Sequence, residues 1–241
     1  MEEPAERIEF YYKMAKECYR NARSLYRDAR LLEQKESRGH AYSLAVLGIE
    51  ETIKSLIYRW ASFGLVRISN EKTAEDNFNE SDLRHHLFKH TMYHQFIYVM
   101  YLLKPVMEEL NTALKGRSGI EKAKKAMLSD DFREYVKKFV ANPENLHPEL
   151  KEFFENLSTL DNEKNRGFYV DCRKNNRVIK PNQLPDEKLE YWLVQLKGML
   201  QLADISLKAN YSPEKVRMAN DAIVPLIQAI IKESMENQNG K

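Results

Sequence analysis

Between Ile8 and Leu32 the apolar residues return in alternating steps of three and four: Ile8, Tyr11, Ala15, Cys18, Ala22, Leu25, Ala29, Leu32. That spacing keeps them on one face of an α-helix, and sustained over several heptads it makes a seam suited to a helical bundle. Tyr12, Tyr19 and Tyr26 flank the seam at every seventh position, where rings pack at a core edge and hydroxyls are expected to reach solvent. After a polar turn, QKESRG, residues 36–60 predict a second helix running back antiparallel. Its pattern differs: Tyr42, Val46, Ile49, Ile53, Ile57 and Trp60 cover one broad side, Leu44, Leu47 and Tyr58 a second, and what remains is mostly small. A helix apolar on several sides belongs in the middle of a bundle.

That placement makes its charged residues conspicuous. Glu50, Glu51 and Lys54 project from near-core positions, where an unpaired charge is costly. The spacings of three and four predict an internal ion pair to Lys54, and Glu50, Glu51 and Lys54 form an expected polar network inside the bundle or at its rim.

A third helix is predicted over about 82–115, opening at Ser81-Asp82. Its seam reads Leu83, Leu87, His90, His94, Ile97, Tyr101, so two histidines stand where the pattern calls for apolar residues. Breaks of this kind concentrate at functional sites. His90 and His94 facing Glu50 and Glu51 across the bundle would also make a metal-binding set, an alternative without a recognised metal signature. Shorter helices follow at 120–127 and 130–140, and Pro148 opens another with Leu150, Phe153, Phe154 and Leu157 as its buried side.

From Arg166 the stretch RGFYVDCRKNNRVIKPNQLP interrupts the helical period. Asn175-Asn176 between two short extended runs predicts a small β-hairpin. Arg166, Arg173, Lys174 and Arg177, with the ring of Tyr169, give it the cationic and aromatic character of a single-stranded RNA track. Two last helices carry the Leu189–Leu207 heptad and a Ser212-Pro213-Glu214 start, with a kink expected at Pro225 and fraying over 233–241.

Composition agrees with an all-α reading: glycine and proline number only eight each. The 241 residues suit a single helical domain, with core helices over about 5–115 and additional helices and the hairpin over about 120–232. Net charge is only +2, so a basic site must be local. Two distant cysteines without metal spacing suit a reducing, cytoplasmic setting. The apolar run at 96–103 is too short to span a bilayer, and no apolar leader opens the chain, so no membrane association is expected.

HAYSLAVLGIEETIKSL, followed in order by a histidine-bearing third helix and RGFYVD before a proline, resembles the AbiV family of abortive-infection proteins over about 19–185. The central helix also resembles the second helix of HEPN domains, four-helix bundles that include antiviral and toxin ribonucleases carrying R-x4-6-H. Arg84 and His90 here are separated by five residues. The resemblance implies an antiparallel bundle with a HEPN-like four-helix core, additional C-terminal helices and one hairpin. It further implies an antiviral defence role and a homodimer. Its chemistry would be metal-independent and cofactor-free endoribonuclease cleavage, with His90 as general acid or base and Arg84 as phosphate clamp. Glu50, Glu51, Lys54 and His94 would then fix the pocket, and His85 and His86 would have no obligatory proton transfer. Single-stranded RNA and a phage-encoded activator are the implied partners. A non-catalytic bundle sensing a phage or host component is the competing reading.

Overall fold

The computed structural model describes residues 5–69, 78–168, 171–172, 178–179, 185–209 and 211–239. Ten helices dominate: α1 (Ala5–Gln34), α2 (Arg38–Ser62), α3 (His86–Leu103), α4 (Met107–Ala113) and α5 (Arg117–Met127) come first. Then follow α6 (Asp130–Ala141), α7 (Pro143–Leu146), α8 (Pro148–Phe168), α9 (Asp186–Lys208) and α10 (Pro213–Asn239). Four two-residue strands and two 3-10 turns complete the described elements. β1 (Ile68–Ser69) pairs in parallel with β2 (Phe78–Asn79), and β3 (Asp171–Cys172) pairs antiparallel with β4 (Val178–Ile179). Among the described residues no helix is long and apolar enough to cross a membrane.

The chain forms two compact units, Met1–Met92 with Leu157–Asn210, and Tyr93–Asn156 with Tyr211–Lys241. The four-helix core is therefore not drawn from a contiguous 5–115 stretch: the end of α8 and all of α9 join α1 and α2.

In the first unit α1 turns into α2 through Glu36, whose φ of 59° puts it in the left-handed region. The amide of Ser37 there returns to the Leu32 carbonyl, closing the helix end. The two helices then run antiparallel, pinned by Ser55 Oγ donating to the Ala15 carbonyl. Val46, Ile49, Ile53 and Ile57 are buried, as the pattern requires of a central helix. α9 lies parallel to α2: Arg38 pairs with Asp186 at one end, and at the other the Arg59 guanidinium donates to the carbonyls of Ser206 and Ala209. Two of the flanking tyrosines do not point to water. The Tyr12 hydroxyl donates to the Leu207 carbonyl and the Tyr19 hydroxyl to Asp204, so they tie α1 to α9.

α8 approaches α2 more closely than a side chain would allow. A Cβ on Gly167 would sit 2.0 Å from Ser43 Oγ and 2.3 Å from the Gly39 carbonyl oxygen. Ser43 Oγ donates to the Lys164 carbonyl across the same contact. Helical structure thus continues through Arg166 and Gly167 to Phe168, past the expected start of the hairpin, because glycine here serves packing and not a turn. Gly167→Ala is expected to lower stability by about 1–3 kcal/mol, the range for overpacking a tight contact, measured by chemical denaturation. Unchanged stability would mean that the two helices do not meet at this contact.

The second unit has its own core, including Leu102, Met127, Phe132, Phe139, Leu150 and Ile223. Ser129 caps α6 by accepting from the Phe132 amide at 3.2 Å. The predicted 82–115 helix is broken twice. A 3-10 turn at Asp82–Arg84 precedes α3, and a second at Lys104–Val106 separates α3 from α4; Pro105, which has no N–H to donate, accounts for the second break. α10 passes through Pro225 as one helix and continues to Asn239, beyond the expected fraying point.

Candidate functional site

α2 carries Glu50 into the first unit with 1% of its surface exposed. Isolated there, a carboxylate would be expelled or protonated. Instead four donors converge on it. Oε1 meets His90 Nε2 at 3.1 Å and Lys164 Nζ at 3.1 Å, while Oε2 meets His86 Nδ1 and, at 2.8 Å, Lys89 Nζ. α3 supplies three of these from its first turns and α8 the fourth. The two lysines are themselves buried, so Glu50, Lys89 and Lys164 form a desolvated ionic cluster whose acceptor sites are filled.

The Glu50 carboxyl is subject to opposed influences. Burial, the largest, pushes its pKa up; hydrogen bonds from His90 and Lys89 and the charges of Lys89 and Lys164 pull it down and prevail, leaving it far below the ordinary carboxylate range. An ionised carboxylate can only accept, so both imidazoles donate to it. For His86 this fixes the proton on Nδ1 and turns Nε2 away from Glu50. The His86 side chain is 49% exposed, and its Nε2 has no hydrogen-bond partner among the described residues. The arrangement is a half-exposed imidazole oriented by a carboxylate, with its second nitrogen directed away from that carboxylate, a geometry suited to a proton-transfer group.

The residues singled out by sequence distribute unevenly around this centre. Glu50 and His90 come together, but His90 is buried and its Nε2 is committed to the carboxylate. Arg84 does not join them: on its 3-10 turn it is 82% exposed, with Glu80 at 3.9 Å as its ion partner. Lys54 pairs with Glu51 at 2.8 Å, and Asn21 also donates to Glu51. The expected single network of Glu50, Glu51 and Lys54 is thus a buried cluster and a separate pair nearer the surface. His94 belongs to the second unit, where its ring lies 4.5 Å from that of Phe154 and burial lowers its pKa.

For the metal alternative the donor chemistry is unsuitable. Two ammonium groups occupy the Glu50 oxygens that a cation would need, Glu51 is paired with Lys54, and His94 packs on an aromatic ring. Among the described residues no group of three or more metal-ligating side chains is positioned to hold an ion. Of the RNA-track residues, Tyr169, Arg173, Lys174 and Arg177 lie outside the described residues; Arg166 is within α8, and its side chain lies outside them too.

Lys89 was not singled out from sequence, Lys164 only as one charge of the cationic segment, and His86 only as a neighbour of His90 and His94 without an obligatory proton transfer, although the signal for their meeting at Glu50 existed. His86, Lys89, His90 and Tyr93 follow three-one-three spacing on one face of α3, and the supposed seam residue Leu87 is exposed. Phe153, Leu157, Leu160 and Lys164 continue the apolar stripe of α8 to a lysine. Reading inward positions for polar residues, and not only for apolar ones, finds both.

A family model for AbiV, HEPN_AbiV, matches residues 10–201. No curated protein and no solved structure gives a significant match.

Proposed function

The chain belongs to the AbiV family of HEPN-type abortive-infection defence proteins, and from that premise we propose that it is a metal-independent endoribonuclease whose proton-transfer group is His86. One observation carries the reading: a half-exposed imidazole is held through Nδ1 on a buried Glu50, with Nε2 directed away from that carboxylate. In the proposed reaction His86 Nε2 removes the proton from an RNA 2′-hydroxyl. The 2′-oxygen bonds to the adjacent phosphorus, the bond from phosphorus to the 5′-oxygen breaks, and the imidazolium returns the proton to that oxygen. The products are a 2′,3′-cyclic phosphate and a 5′-hydroxyl. Negative charge gathers on the phosphoryl oxygens during the step, and an exposed guanidinium stabilises it. Arg84, two residues before His86, is assigned that role. His90, Lys89 and Lys164 act through Glu50, keeping it charged and in place, and the cationic segment with Arg166, Tyr169, Arg173, Lys174 and Arg177 is assigned to tracking single-stranded RNA.

The burial of His90 and the commitment of its Nε2 to Glu50 favour a second reading, a non-catalytic bundle in which the cluster sets helix register. Growth arrest separates the two. Expression in cells, with and without phage infection to supply an activator, is expected to arrest growth with wild type and not with His86→Ala or Arg84→Ala present at equal levels. Arrest that persists in both variants would leave the non-catalytic reading.

A further inference from the structure

Pro105 leaves a gap in the second unit that a side chain from α6 fills. In an unbroken α-helix the Tyr101 carbonyl would accept from the amide four residues on, and that residue is Pro105, which has no N–H. The Tyr135 hydroxyl stands in for that amide, 2.6 Å from the Tyr101 carbonyl oxygen. Two oxygens so close must share a proton, and a phenol has one to give. The Tyr135 oxygen also meets His147 Nε2 at 2.9 Å. With its proton committed to the carbonyl, Tyr135 can only accept from the imidazole, so Nε2 carries a hydrogen and donates.

That assignment leaves a deficit at the other ring nitrogen. His147 Nδ1 faces Glu149 Oε1 at 3.5 Å, longer than the roughly 2.7–2.9 Å of a charge-assisted bond. In a neutral ring protonated on Nε2, Nδ1 turns a lone pair toward the carboxylate. Glu149 is ionised: a hydrogen bond from its own backbone amide, the charge of His147, the Tyr101 hydroxyl and the charge of Lys104 hold its carboxyl below the ordinary range. Around the imidazole, among the described residues, α3 presents the Tyr101 ring, α6 Tyr135 and Phe139, α7 the Pro143 carbonyl and α8 Glu149. Lys104, 5.3 Å from the Tyr101 ring centroid, is the accompanying cation. Tyr101, Tyr135, His147 and Glu149 thus make a closed circuit of contacts that lacks one proton, at Nδ1.

We propose that this circuit is a pH-sensitive clamp on the end of α3, in which a second proton on His147, at Nδ1, closes the ring on Glu149 and ties the α3 break to α6 and α8. The clamp takes up its proton only in the folded chain, so its stabilisation is present on the acid side of the histidine range and fades as pH rises through it. That sign is opposite to the contribution of a buried carboxylate. The clamp does not depend on the ribonuclease reading, and it is tested on the intact protein without RNA. Nitrogen-15 NMR of the imidazoles, with His147 identified by its absence in His147→Gln, is expected to show the Nε2–H tautomer at about pH 8 and the imidazolium on acidification. Glu149→Gln should weaken that second protonation about two- to fivefold, the scale of a half-exposed ion pair. Tyr135→Phe should admit the Nδ1–H tautomer. Denaturant unfolding gives an independent reading: the unfolding constant of Glu149→Gln relative to wild type should rise by about the same factor between about pH 8 and pH 5.5. His147→Gln, which keeps a donor toward Tyr135 and cannot titrate, should remove the pH-dependence. An Nδ1–H tautomer in the wild type overturns the proposal, and so does a His147 titration that Glu149→Gln leaves unchanged.

Discussion

Replacing Glu50 with leucine is expected to destabilise the first unit by about 3–5 kcal/mol, the scale for stranding buried charges by removing one partner. Lys89 and Lys164 would be left desolvated around an apolar side chain, and His86 and His90 would lose their common acceptor. Each lysine changed alone, Lys89→Met or Lys164→Met, should cost less, because Glu50 keeps the other cation. The triple change Glu50→Leu, Lys89→Met, Lys164→Met should recover much of the single-variant loss, since a buried ionic cluster exchanged whole for apolar groups of similar volume is often near neutral. Denaturant unfolding of the four variants measures this coupling, and strictly additive losses would show that the groups do not act as one cluster.

The same cluster sets an acid limit. The folded Glu50 carboxyl lies below its unfolded value, so its contribution is fully present above the unfolded pKa of about 4.3 and is lost as pH falls through the folded value. Glu50→Gln should flatten this part of the acid limb. A wild-type limb matched by the variant would mean that Glu50 is not held ionised.

Helical period was sufficient for the large elements. The three-four seam of α1 and the broad apolar cover on α2 reflect a bundle in which one helix is surrounded, and period is what such packing imposes on sequence. Breaks were less legible because they depend on single residues in context. Pro105 ends α3 by backbone chemistry visible in the sequence, whereas Gly167, within the stretch expected to interrupt the helical period, is a point of helix contact set by Ser43 and Gly39, more than a hundred residues away in the chain.

The site was half legible for the same reason. Glu50 was conspicuous, since a glutamate on an apolar helix must find partners. Its cations could not be chosen locally: Lys54 was the nearest in sequence, yet the side chains that reach Glu50 come from α3 and α8, and Lys54 turns to Glu51. The R-x5-H spacing drew attention to His90. The irregular start of α3, a 3-10 turn and an extended His85, instead leaves His86 half exposed and His90 buried, both on Glu50. Spacing alone does not distinguish the imidazole that meets substrate from the one that supports the carboxylate.

The proton-transfer assignment makes the largest functional prediction. Truncating His86 removes the only group in the proposed reaction that carries the proton, and loss of a positioned general acid–base group lowers rate by about 10² to 10⁴. Its fold should survive, because Glu50 keeps Lys89, His90 and Lys164. His85→Ala is the adjacent control, exposed and outside the cluster. Arg84→Ala should lower the rate of the chemical step through loss of charge stabilisation. His90→Ala, acting through Glu50, should reduce stability together with rate. Cleavage of a labelled single-stranded RNA by purified protein in the presence of EDTA, read for wild type, His85→Ala and His86→Ala, is the most direct measurement. The account predicts cyclic-phosphate products from wild type and His85→Ala, unaffected by the chelator, and at least a hundredfold loss with His86→Ala. Cleavage undiminished in folded His86→Ala, or abolished by EDTA in wild type, would contradict it.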